Sequence, residues 1–126
     1  MHSVIPYSFA ALIAVGIIGI GCFYLAAPER IVGSFGLNLP AGDANTRAWL
    51  RLKGIRDTAS GVVVLTMMLT AEARTVGIVV LAFALIPFGD MSIILASGGS
   101  RSKAFFVHGL TCAVMLVAGG WLVFGR

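Results

Sequence analysis

The chain alternates long apolar stretches with short polar connections, and this pattern predicts four transmembrane helices. The apolar stretches cover about residues 5–27, 48–70, 75–97 and 104–124. Each has the roughly 20 residues that an α-helix needs to cross the hydrocarbon core of a bilayer. Because the connections are short, consecutive helices should be antiparallel neighbours. The pattern predicts an all-α protein: an integral membrane four-helix bundle, up-down-up-down, in a single domain over residues 1–126.

The composition is typical of a membrane protein and argues against nucleic-acid binding. Hydrophobic residues make up 59% of the chain and charged residues only 11%, whereas soluble domains carry about 25% charged residues. The nine Lys and Arg flank or interrupt the apolar stretches and form no solvated basic face. We therefore expect membrane lipid as a partner, and no nucleic acid.

The first stretch has the features of a retained transmembrane helix. No Lys or Arg precedes it, and its 23 uncharged residues exceed the about 7–15 of a signal-peptide core. Tyr24 lies one turn before its end, where either an interfacial aromatic residue or a hydroxyl turned into a site is expected. Glycines at helical spacing, such as Gly16 and Gly19, allow close helix packing in lipid. A homo-oligomer formed through such glycine seams is a further expectation.

The second stretch carries the most unusual sequence of the chain, the charged segment Lys53–Asp57. Only 14 uncharged residues follow it, about 21 Å of helix, so a membrane-spanning helix must extend back through the charges. Ionisable side chains at that depth usually face a protein interior. Helical spacing places five side chains on one face of this helix: Trp49, Lys53, Arg56, Asp57 and Ser60.

The third and fourth stretches each carry an ionisable residue at a similar depth. Asp90 follows Pro87, which should kink its helix because proline removes a backbone hydrogen bond. By helical rise, Arg56, Asp90 and His108 all lie about 8–12 Å from the same membrane surface, and Glu29 and Tyr24 lie slightly shallower. The sequence therefore predicts one shared polar site among the helices.

Acid–base chemistry is what these residues offer. Asp90, His108 and Asp57 are the candidate catalytic residues, and the candidate binding residues are Arg56, Lys53, Tyr24, Glu29, Trp49 and Ser60. Neither Cys22 nor Cys112 has a metal-ligand spacing, and no cofactor motif is present, so no metal or cofactor is expected. The alternative is an ion-pair cluster that only fixes the register of the helices.

The motifs resemble those of a family of small four-helix membrane proteins from bacteria and fungi, classified as a domain of unknown function. The resemblance is carried by Pro28-Glu29, Phe35-Gly36-Leu37, Lys53-Gly54-Ile55-Arg56-Asp57 with Ser60-Gly61, Pro87 with Gly89-Asp90, and His108-Gly109. It covers nearly the whole chain and implies the four-helix fold. It also singles out Arg56, Asp57, Asp90 and His108, but it implies no activity.

Three functions follow from this site. The first is a membrane-embedded pocket for a lipophilic small molecule, with acid–base isomerase, cyclase or epoxide-opening chemistry. The second is a small multidrug-type exporter, although the first stretch lacks the acidic residue of such exporters. The third is an accessory or structural membrane subunit. The connections near residues 30–47 and 101–103 carry four Lys and Arg, with Arg51 and Lys53 close by, whereas the opposite side has only Arg74 and Arg126. We therefore expect these connections in the cytoplasm and both termini outside the cell membrane.

Overall fold

The computed structural model describes residues 4–38 and 42–125, and no strand occurs within these two ranges. The all-α prediction is therefore confirmed. The helical elements, in chain order, are α1 (Val4–Ala26), α2 (Pro28–Ile31), a 3₁₀ turn (Val32–Ser34), α3 (Ala44–Thr70), α4 (Ala73–Phe83), α5 (Leu85–Ala96), α6 (Arg101–Lys103), a π-helical turn (Ala104–Gly109) and α7 (Leu110–Phe124).

Three helical stretches of the described chain are long and apolar enough to cross a membrane: Val4–Ala26, Ala73–Ala96 and Arg101–Phe124. They indicate a membrane-embedded protein. The predicted span over residues 48–70 does not reach the same standard, although α3 has 27 residues. The reason is its N-terminal half, where five charged side chains interrupt the apolar sequence.

Glycines bring α1 and α3 into close antiparallel contact. An ideal Cβ added to Gly54 would lie 2.7 Å from the carbonyl oxygen of Gly21 and 2.9 Å from the Cβ of Tyr24. One added to Gly61 would lie 2.5 Å from the carbonyl oxygen of Ala14. No side chain fits at these positions, which is how small residues let helix backbones approach in lipid. The seam fixes the position of Tyr24 relative to α3.

The third apolar stretch is interrupted where proline predicts a kink. Helix α4 ends at Phe83 and α5 begins at Leu85, two residues before Pro87. The carbonyl oxygen of Ala84 accepts hydrogen bonds from the Phe88 amide at 3.2 Å and from the Cys112 thiol at 3.5 Å. The carbonyl that Pro87 frees is that of Phe83, four residues back, and we expect it to have a partner inside the protein. The Ala84 carbonyl keeps its helical bond, and its contact with the Cys112 thiol ties this break to the facing helix α7.

The segment after α1 folds back over one end of the helices. The carbonyl of Gly33 accepts from the Lys103 ammonium group, and the carbonyl of Gly36 accepts from the Ser100 amide at 2.9 Å. Gly36 has φ +112°, a conformation that side chains rarely adopt. These contacts join the α1–α3 connection to the start of the fourth stretch and close the polar end of the molecule.

Asp43 caps the first turn of α3. Its carboxylate accepts from the Thr46 amide at 2.7 Å, and this hydrogen bond holds the pKa of the carboxyl below its usual range. The cap stabilises the helix end at pH values above the unfolded pKa, and this stabilisation is lost as the pH falls through the folded pKa. We expect the amide protection factors in this turn to fall at acidic pH, and Asp43→Ala to lower them at neutral pH. Asp43→Asn, which still accepts a hydrogen bond, should remain protected at both.

Candidate functional site

A cavity of about 260 Å³ runs between the helices and is apolar along most of its length. Its volume lies just below the range of about 300–1,000 Å³ usual for small-molecule pockets. The apolar wall is formed by side chains from α1, α3, α4, α5 and α7: Ala10, Ile13, Ala14, Ile17, Ile20, Val64, Val80, Phe83, Ile86 and Met115. Ionisable groups line only one end: Tyr24, Lys53, Asp57, Asp90 and His108.

The cavity is elongated and opens sideways. Its lining on α1 extends from Ala10 to Tyr24, about 21 Å by helical rise. Gly16 and Ile20 on α1, and Ile86 on α5, line the cavity and are also exposed on the outside of the molecule. A Cβ added to Gly16 would meet nothing within 4 Å. The opening therefore lies between α1 and α5, on the apolar flank of the molecule.

Asp90 and His108 form a pair at the polar end. The His108 Nδ1 lies 3.5 Å from the Asp90 Oδ2, and its Nε2 lies 3.0 Å from the carbonyl oxygen of Phe35. Since a carbonyl only accepts, Nε2 carries a proton, and Nδ1 faces the carboxyl group. The 3.5 Å contact is long for a hydrogen bond, and a proton between Nδ1 and Oδ2 would make it attractive. Asp90 and His108 both line the cavity at this end.

The π-helical turn brings His108 into this position. Within it the Leu110 amide bonds to the Phe105 carbonyl five residues back, which is the pattern of a π-bulge. The Phe35 ring packs edge-on against the imidazole, with centroids 4.7 Å apart and planes at 73°. Both His108 nitrogens have partners on other elements. Of this pair, Asp90 and not His108 is free to touch a ligand.

Lys53 and Asp57 form the second pair, one turn apart on α3. The Lys53 ammonium group binds the Asp57 carboxylate and lies 4.8 Å from the centroid of the Tyr24 ring and 4.9 Å from that of Phe35. The cation is therefore satisfied by a carboxylate and two aromatic faces. Asp57 is buried and Lys53 is half-buried. Removing either one leaves the other charge without a partner.

Tyr24 is the polar-end residue whose hydroxyl has no hydrogen-bond partner among the described residues, although only 1% of the residue is exposed. It lines the cavity, and its ring is held between Lys53 and the glycine seam. Buried phenol hydroxyls usually find a partner. The Tyr24 hydroxyl is therefore available to whatever enters the cavity.

Three of the predicted binding residues lie away from the cavity. Trp49 is 66% exposed, Arg56 is exposed on the outer face of α3, and Glu29 pairs with Arg47 at 3.1 Å on the surface. Among the described residues Arg56 forms no ion pair with Asp90, which faces His108 at 3.5 Å. Ser60 lines the cavity, but its hydroxyl donates to the Arg56 carbonyl of its own helix at 2.8 Å.

The inner face of α3 is centred on its glycines. Gly54, Asp57, Gly61 and Val64 are its buried residues, and at 100° per residue their mean direction lies about 100° from that of Trp49. The face that was predicted from the charged and aromatic residues of α3 therefore overlaps its buried face only at one edge. The seven-residue spacing of Gly54 and Gly61 was the better indicator of the buried face.

Two features of the site have little signal in the sequence. Phe35 comes from a short connection, and the fold-back of that connection supplies a carbonyl to His108 and a ring to Lys53. The π-helical turn has no composition of its own.

Within residues 4–38 and 42–125, no group of three His, Cys, Asp or Glu lies close enough to hold a metal ion.

The fold and site define a class: a membrane-embedded all-α protein with an elongated cavity, apolar along its length and polar at one end. The chain belongs to the family described as "Domain of unknown function (DUF4267)", which matches residues 14–122. This confirms the resemblance found in the sequence. No match to the chain was found among curated proteins or among solved structures. The matched range includes all the ionisable residues of the polar end, and function has to be argued from them.

Proposed function

We propose that the chain is an integral membrane four-helix bundle that binds a lipophilic small molecule in its cavity. The spans would be α1, α3, α4 with α5, and α6 through α7, in up-down-up-down order. The observation that carries the proposal is the cavity itself, with apolar walls, a side opening and a polar end. A register-fixing ion-pair cluster needs no such space, whereas a binding site does.

The contacts of α3 support it as the remaining span, besides the three found by length and composition. Arg51 donates to the carbonyl of Leu25 at 3.2 Å, next to the C-terminus of α1. The level of Arg51 therefore matches the end of the first span. Beyond it, Lys53 and Asp57 pair with each other on the cavity side, as ionisable groups below the headgroups should. From residue 58 to residue 71 the chain is uncharged.

The chemistry we propose is proton transfer to or from the bound molecule by Asp90. Asp90 and His108 would hold one proton between them. Lys53 and Asp57 neutralise each other beside them and would help to orient the bound molecule. Isomerisation, cyclisation or opening of an epoxide all need a group that gives and takes a proton at a fixed place. The charged connections at this end would face the cytoplasm, since Lys and Arg concentrate there.

Blocking the side opening tests the binding proposal. The protein in lipid nanodiscs is illuminated with a long-chain alcohol that carries a diazirine, and the labelled residues are mapped by mass spectrometry. Wild type should be labelled on the cavity wall. Gly16→Trp should lose most of that labelling, because the indole would occupy the opening; a Cβ added at this position meets no atom within 4 Å.

Gly19→Trp is the matched control. It lies on the same helix, has nothing within 4 Å of an added Cβ and does not line the cavity. It should retain cavity labelling at the wild-type level. Labelling confined to outward-facing residues in wild type would contradict the binding proposal and favour the accessory-subunit alternative. Equal labelling in Gly16→Trp and wild type would show that the ligand does not use this opening.

A further inference from the structure

We infer that the cavity selects an elongated lipophile ending in a single uncharged oxygen, and that the Tyr24 hydroxyl is the group that recognises this oxygen. The inference rests on the proposed function and names its ligand class. It is carried by three observations that the acid–base proposal does not use: the partnerless phenol, the charge balance of the polar end, and the shape of the cavity.

The Tyr24 hydroxyl has no hydrogen bond among the described residues. The Lys53 ammonium is committed to Asp57, and the His108 Nε2–H to the Phe35 carbonyl. Tyr24 is 1% exposed and lines the cavity. Since no fully buried side-chain oxygen or nitrogen of the described residues lacks a partner, this hydroxyl is accessible from the cavity. An oxygen on the ligand, whether a hydroxyl, a carbonyl or an ether, would accept its hydrogen bond.

The ionisable groups of the polar end already face one another, which favours an uncharged ligand. Lys53 pairs with Asp57, and Asp90 faces His108 at 3.5 Å. A carboxylate or an ammonium group entering this end would find no free counter-charge and would lose its hydration. A neutral oxygen carries no such penalty.

The position of Tyr24 determines how the molecule lies. The hydroxyl group is at one end of the cavity, two residues before α1 ends, and the apolar wall continues from there to Ala10. The oxygen of the ligand would therefore lie near the membrane surface and its chain would point towards the bilayer centre. This is the orientation of a single-chain lipid in one leaflet, and the opening beside Gly16 faces the same hydrocarbon region.

Competition for the photolabel tests the inference in nanodiscs. Dodecanol and dodecane are added at equal mole fractions in the lipid, and cavity labelling by the diazirine alcohol is measured. Wild type should be protected about tenfold better by dodecanol than by dodecane, the value of one buried hydrogen bond. Tyr24→Phe removes one oxygen atom and should bring the two competitors near parity. Tyr7→Phe is the matched control: it is on the same helix, packs on the core outside the cavity lining and should behave as wild type.

The outcomes separate this inference from the proposed function. Cavity labelling with equal competition by dodecanol and dodecane in wild type would overturn the role of Tyr24 and leave the binding proposal standing. Stronger competition by dodecanoate or dodecylammonium than by dodecanol would overturn the neutral ligand class. Absence of cavity labelling would overturn both. Loss of the tenfold preference in Tyr24→Phe alone, with Tyr7→Phe unchanged, is the supporting result.

Discussion

Asp90→Asn is expected to abolish proton transfer in the cavity while the protein stays folded. The new carboxamide can donate an N–H to the His108 Nδ1, so the imidazole keeps its Nε2 bond to Phe35. What is lost is the group that takes up and releases a proton. Loss of a general acid or base lowers a rate by about 10²-fold or more. Thermal unfolding in nanodiscs should stay close to that of wild type.

The rate can be measured without knowing the natural substrate. A long-chain methyl ketone is incubated with the protein in D₂O, and deuterium at the carbons beside the carbonyl is followed by mass spectrometry. In each exchange event Asp90 takes a C–H proton and a deuteron from solvent returns to the carbon. Wild type should accelerate the exchange, and Asp90→Asn should fall towards the rate of empty nanodiscs.

Asp90→Leu tests the hydrogen bond to the His108 Nδ1 separately from proton transfer by Asp90. Leucine is larger than aspartate and cannot form a hydrogen bond, so it leaves the His108 Nδ1 buried without a partner, which costs about 1–3 kcal/mol. We expect Asp90→Leu to be less stable than Asp90→Asn, with both inactive. If Asp90→Asn is destabilised as much as Asp90→Leu while exchange continues in its folded fraction, the cluster is structural.

Gly54→Ala is expected to destabilise the protein by separating α1 from α3. The added Cβ would lie 2.7 Å from the Gly21 carbonyl oxygen and 3.1 Å from the Leu25 amide nitrogen, both backbone atoms that cannot rotate away. Separating α1 from α3 should cost about 1–3 kcal/mol, as overpacking does in cores. Because the same methyl lies 2.9 Å from the Tyr24 Cβ, the preference for dodecanol should also weaken.

Gly19→Ala is the control for this substitution. It makes the same chemical change on α1 at a position where an added Cβ meets nothing within 4 Å. Its stability should equal or slightly exceed that of wild type, since Ala has the higher helix propensity. Unfolding in mixed detergent, followed by circular dichroism, compares the two. Equal stabilities would mean that the Gly21–Gly54 approach is not a tight contact.

The positions of three apolar helices could be predicted from the sequence because lipid leaves the backbone few choices. Backbone groups in hydrocarbon must bond within a helix or a closed barrel, so 20 or so apolar residues are enough to predict a helix. Val4–Ala26 and Arg101–Phe124 agree with the predicted ranges to within three residues at each end. Helix α3 starts four residues earlier than predicted because Asp43 caps it.

The meeting of Asp90 and His108 could also be predicted, since each lies at a similar depth on its own helix and neither tolerates hydrocarbon alone. Which charged groups would pair with each other could not be predicted. Depth along a helix is given by residue number, whereas direction around the axis depends on which face packs inward. For α3, Gly21 and Gly54 decide that direction by steric fit, and the decision turns Asp57 inward and leaves Arg56 outside.

The sequence by itself determined the helices, the depth of the ionisable residues and the kink before Pro87, because each depends on local composition and helical rise. Only the tertiary structure decided that the Phe35 carbonyl holds His108, that Cys112 bonds to the Ala84 carbonyl, and that Tyr24 lines the cavity. The first two contacts join residues that are 73 and 28 positions apart. They follow from how closely the helices approach, which no local pattern encodes.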